Sequence, residues 1–208
     1  MQPEAPPPRR FPVQAAIFEA ATVLVAMTLG WFVCQPPLRT FDPSPSAFAL
    51  GAAAVVPLLL LLLLCLWVPW RPFRDVLRVT DEVLRPMFRE CNLIEMGVIS
   101  ILAGLGEEML FRGVLQATLA EAAAKTLDGG PLAGQIGDWL AAVVVAAFFG
   151  LMHAVNRSYA LLAGLIGLYL GGLWIWTGNL AVPITAHALY DFLALVYVVK
   201  IRGRDNAP

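Results

Sequence analysis

The stretch "VVPLLLLLLLCLWVPW", residues 55–70, contains no charged and no amide side chain. In hydrocarbon, every backbone N–H and C=O must be satisfied inside the protein, which restricts a spanning segment to a helix or a closed barrel. A continuous apolar run without period-two alternation selects the helix. A helical span needs about 20 mostly apolar residues. Six stretches qualify: 14–34, 47–68, 92–119, 136–154, 159–177 and 180–199. Mean hydropathy is +0.74 and only 14% of residues are charged, against about a quarter in ordinary soluble domains. The expected fold class is therefore all-α, a polytopic membrane helix bundle of about six transmembrane helices.

Charges gather between these spans. With a cytoplasmic N-terminus, the cytoplasmic segments hold 11 Lys and Arg and the opposite side only Arg39 and Lys125. The positive-inside rule then places both termini in the cytoplasm, as in a bacterial inner membrane. The segment "RPFRDVLRVTDEVLRPMFREC" mixes five arginines with Phe73, Val76, Leu77, Val83, Leu84 and Phe88, the pattern of short amphipathic helices lying on the cytoplasmic membrane surface. The expected organisation is a disordered proline-rich lead over 1–13, two anchors and an amphipathic linker over 14–91, a helix bundle over 92–200 and a short basic tail over 201–208. Net charge is −1 with no basic stripe, so nucleic acid is not an expected partner; membrane lipid is. Cys34, Cys65 and Cys91 have neither disulfide-framework nor metal-ligand spacing and read as apolar filler in helices.

Ionisable groups in lipid cost about 2.5–3.5 kcal/mol on insertion scales, so those that remain mark where function should be sought. They are Glu19, Glu95, Glu107, Glu108, Arg112, His153, His187 and Asp191. Spacing sorts them. Glu108 and Arg112 stand four residues apart on one helical face, as do His187 and Asp191, whereas Glu107 has Phe111 at that spacing and no partner in its own helix. Glu95 lies near an interface, and Glu19 has no motif around it. Both histidines of the chain fall in apolar helices. Two histidines and two carboxylates on three helices escape lipid together only inside the bundle, as a polar, water-holding pocket. Such a set can activate water, and it can equally serve packing in a noncatalytic membrane protein that binds a partner or a lipidated peptide, or relay protons in a transporter. Gly164, Gly167 and Gly171 form a stripe suited to close helix contact.

"EEMLFR" has the form EExxxR, "FGLMH" the form FxxxH, and "HALYD" the form HxxxN/D, preceded by "GLWIWTGNLAVPITA". In this order, over residues 93–199, they resemble the CPBP family of intramembrane proteases, which includes type II CAAX prenyl endopeptidases, Abi proteins and lysostaphin-resistance-type proteins. The resemblance implies a glutamic-type endopeptidase, a hydrolase acting on a peptide or protein in or at the membrane through a cavity open to one side. It implies that Glu107 and His153 activate the attacking water, that His187 with Asp191 stabilises the oxyanion, and that Glu108 and Arg112 hold the site in shape. It requires no cofactor; zinc on Glu107, His153 and His187 is the alternative the residue types allow. Asp191 stands where the type II CAAX enzymes have asparagine, and an ionised aspartate cannot donate a hydrogen bond. It is expected either to be protonated or to orient His187 through its ring N–H.

The span ends leave one conflict. Glu107 and His187 sit roughly 20 Å along their helices from the cytoplasmic ends at 1.5 Å per residue, but His153 is one residue from the end of its own span. Either the fourth helix continues past Ala154, or the third and sixth spans begin later.

Overall fold

The computed structural model describes residues 11–127 and 131–202, of which none is in a strand. Caps written in the sequence punctuate the helices. α1 (Phe11–Phe32) begins three residues before the expected span. α2 (Pro45–Ala53) starts behind Ser44, whose side chain accepts from Ala47 N, and runs through a break at Ala54 into α3 (Val55–Trp67). α4 (Arg71–Val79), a π-helical stretch Thr80–Leu84 and α5 (Arg85–Phe88) follow. α6 (Leu93–Glu108) opens with a capping box between Asn92 and Glu95, so Glu95 serves a helix end. It continues through a π-helical stretch, Met109–Gln116, into α7 (Ala117–Thr126). α8 (Pro131–Met152) and α9 (Arg157–Thr177) complete a hairpin, α9 ending on Gly178 in the left-handed conformation that glycine tolerates. α10 (Ala181–Val196) is extended to Ile201 by a further π-helical stretch.

The chain is an integral membrane bundle with five helices long and apolar enough to cross a bilayer among the described residues. The third expected span, 92–119, is helical from Leu93 on, but Glu107, Glu108 and Arg112 exclude it from that class. It is the central element: α6 packs between α1 and α10, its π-helical continuation reaches α8, and α2 and α3 pack on α10. The outer surface is apolar, with Phe18, Leu24, Trp31, Leu151 and Trp176 all exposed, as a lipid solvent demands. Trp67, 83% exposed, and Trp70 flank the end of α3, where a headgroup belt would lie. Cys65 and Cys91 are buried as expected of filler, but Cys34 is exposed in the turn after α1. The proline-rich lead through residue 10 and the tail from 203 lie outside the described residues.

Neither expected resolution of the depth conflict holds. α8 ends at Met152, before His153, and α6 begins at Leu93, where the sequence places it. The helix ends are simply not level: α8 stops at the site, and the turn 153–156 leads straight into the Asn156 cap of α9. The amphipathic segment covers that short end. Asn156 Nδ2 donates to Asp75 O at 3.1 Å, and Ser158 Oγ lies 3.5 Å from Asp75 Oδ2. Four residues of the face expected to meet lipid, Val76, Leu77, Leu84 and Phe88, instead line a cavity, while Val83 stays exposed.

Candidate active site

The Gly104-Leu105-Gly106 turn of α6 lets two helices approach it on opposite sides. A Cβ on Gly104 would lie 2.9 Å from the backbone N of Ala188 in α10, and one on Gly106 would lie 3.0 Å from the carbonyl oxygen of Glu19 in α1. These approaches bring α10 and α1 hard against the turn that carries Glu107 and Glu108, the last two residues of α6.

Glu108 faces away from solvent entirely. Its Oε1 accepts from Arg112 Nη1 at 2.8 Å, and both side chains are fully buried. Arg112 Nη2 donates to the carbonyl of Gly167 at 2.6 Å, and one turn on, Gln116 Nε2 donates to that of Gly171 at 3.3 Å. The glycine stripe of α9 thus does more than permit close packing. Without side chains on that face, its carbonyls are open to the arginine and the glutamine. Arg112 also lies over the Phe149 ring, 5.2 Å from its centroid.

The second contact of Glu108 Oε1 was not expected: His187 Nδ1 lies 2.8 Å from it. A carboxylate only accepts, so Nδ1 donates and Nε2 is turned to the cavity. Asp191 Oδ2 lies 3.4 Å from Nε2, and the residue that orients the ring through Nδ1 is Glu108. His153 is held in the same way, with Nδ1 2.8 Å from the backbone oxygen of Phe149, an acceptor, and its ring stacked on the Phe149 ring at 4.3 Å.

Both Nε2 atoms therefore point at one oxygen. Glu107 Oε2 lies 3.7 Å from His153 Nε2 and 3.9 Å from His187 Nε2, and it has no direct hydrogen bond. These gaps exceed a hydrogen bond, and a water about 2.8 Å from each atom would bridge them. Glu107, His153, His187 and Asp191 line one cavity of about 260 Å³, far more than one water and enough for a segment of substrate. Its remaining wall is largely apolar, with Leu62, Leu66 and Ile166 from α3 and α9. Among the described residues, no three His, Cys, Asp or Glu side chains are placed to hold a metal ion.

The structure thus brings together all six residues singled out for the site. Sequence spacing missed Gln116, although it extends the Glu108–Arg112 face by one more interval of four, and Phe149, which stands four before His153 in a motif already noted. Glu19 also lines this cavity. The Glu108–His187 contact joins residues 79 apart, and no local pattern announces it.

Residues 90–193, half of the 208-residue chain, match the family described as type II CAAX prenyl endopeptidase Rce1-like. The chain belongs to this family. The match takes in Glu107, His153, His187 and Asp191 and leaves Glu19 and the amphipathic segment outside. The chain is also 28% identical, over 149 residues, to the uncharacterized protein YpbD of Bacillus subtilis (strain 168). The alignment covers 72% of this chain, which spans 65% of that relative's length. No solved structure matches.

Proposed function

We propose that the protein is an intramembrane endopeptidase that hydrolyses a peptide bond in a membrane-associated substrate, CAAX-like or otherwise hydrophobic, without a metal. The observation that carries this reading is the convergence of two imidazole Nε2 atoms on the unbonded Oε2 of Glu107. A packing cluster would close such gaps, as Glu108 and Arg112 do at 2.8 Å. Water held there is aligned for attack on a carbonyl carbon entering from the cavity, and Glu107 takes its proton. His153, fixed by Phe149, shares the bond to that water. His187, in the form with both ring protons, donates one to Glu108 and the other to the developing oxyanion. Asp191 beside Nε2 then acts as counter-ion to that ring, so a residue unable to donate to an oxyanion still contributes to stabilising one. Arg112 offsets the charge of Glu108 below the site.

Eleven cationic residues against two favour an orientation with both termini in the cytoplasm, and Phe88 and Val198, near that side, are among the residues lining the cavity. The reading is tested with the full chain in lipid vesicles and two peptides: one bearing a prenylated cysteine in a CAAX terminus, the other hydrophobic without lipid. Mass spectrometry of the products should show cleavage of at least one by the wild type and none by Glu107→Gln or His153→Ala. Cleavage by those folded variants at the wild-type rate would contradict it.

A further inference from the structure

Glu19 is the only charged residue between Phe11 and Phe32, on a helix that packs one side on α6 and exposes much of the rest. The mechanism above does not use it. Its backbone is pinned against Gly106, next to Glu107, by the close approach of α1 and α6. Its side chain lines the same cavity as Glu107, His153, His187 and Asp191. Its Oε2 is buried and has no hydrogen-bond partner. Among the described residues, no ion pair with a lysine or arginine holds it. A structural ion pair therefore does not account for it. A buried acceptor without a donor is costly, and a peptide in the cavity supplies the missing donor.

We infer that Glu19 accepts a hydrogen bond from the N–H of the scissile peptide bond and stabilises the departing amine. This rests on the hydrolase reading above. In the reaction, the water oxygen bonds to the carbonyl carbon while one water proton passes to Glu107. The C–N bond then breaks, and that proton passes from Glu107 to the nitrogen, so amide and water become acid and amine and Glu107 returns to its starting form. Desolvated in the cavity, the amide N–H needs an acceptor from the outset. As the nitrogen gains its proton and positive charge, the bond to Glu19 becomes charge-assisted and strengthens toward the transition state, the condition for acceleration rather than mere binding. The catalytic set thus extends onto α1, outside the matched family segment.

The test compares a cleaved peptide with its depsipeptide twin, in which an ester oxygen replaces the scissile N–H, using the full chain in phosphatidylcholine–phosphatidylglycerol vesicles. Glu19→Gln and Glu19→Leu should lower kcat on the peptide by roughly 10- to 100-fold with KM within about threefold, and leave ester hydrolysis within about twofold. Equal losses on both substrates would overturn the inference in favour of a structural role, as would no loss on either. Should Glu107→Gln abolish cleavage while the Glu19 variants cleave normally, only the role of Glu19 fails. Wild-type protein that is folded yet inert toward both substrates would sink the hydrolase reading and this one with it.

Discussion

One helix carries two polar faces, and they are built to opposite rules. On one, Glu108, Arg112 and Gln116 are fully buried and knit by bonds of 2.6–3.3 Å to each other and to the carbonyls of α9. On the other, Glu107 keeps an unbonded oxygen 3.7 and 3.9 Å from two rings at the wall of a cavity. Adjacent carboxylates in the same apolar helix thus differ by their neighbours: one holds Arg112 and His187, and the other is the one the proposed mechanism uses. Direct contact, rather than full satisfaction, separates the two faces: Glu108 Oε2, Arg112 Nε and Gln116 Oε1 also lack a hydrogen-bond partner, but Glu108 meets Arg112 at 2.8 Å whereas Glu107 stands off from both rings.

Substitutions can break that contrast. The largest effect expected is on cleavage by Glu107→Gln, a loss of about 10²–10⁴-fold, with a melting temperature close to wild type; a large fall in Tm would erase the distinction. Arg112→Leu, which strands a buried carboxylate, should cost about 3–5 kcal/mol in denaturation measured in detergent. Adding Glu108→Leu should recover part of that stability but not activity, because His187 loses its anchor. Gln116→Leu, which removes one bond to Gly171, should cost about 1–2 kcal/mol and leave cleavage near wild type. Lys125→Ala, at the exposed pair with Glu121, should change neither quantity measurably and serves as a control.

How much of this was legible in the sequence depends on the range of the interaction concerned. Helical spacing is a local signal, so the pairing of Glu108 with Arg112 and the isolation of Glu107 within α6 are readable from positions alone. Apolar runs likewise declare the spans, the third included despite the charges it carries. What spacing cannot carry is contact between helices. The anchoring of His187 by Glu108 depends on α10 being drawn onto α6 at Gly104. The levelling of His153 with Glu107 depends on α8 stopping short, and hydropathy does not specify where a helix stops. The amphipathic segment shows the same limit: its apolar face was visible, but whether that face meets lipid or protein is decided by Asp75 reaching Asn156 and Ser158. Glu19 is the extreme case, a lone charge whose sense comes entirely from the helix it touches.

The central claim is that neighbouring carboxylates divide chemistry from architecture, and parallel measurement of cleavage rate and unfolding midpoint in Glu107→Gln and Glu108→Gln tests it most directly. Glu107→Gln should unfold with the wild type and fail to cleave, whereas Glu108→Gln should unfold at a clearly lower temperature. Equal destabilisation by the two substitutions, or wild-type cleavage by Glu107→Gln, would contradict it.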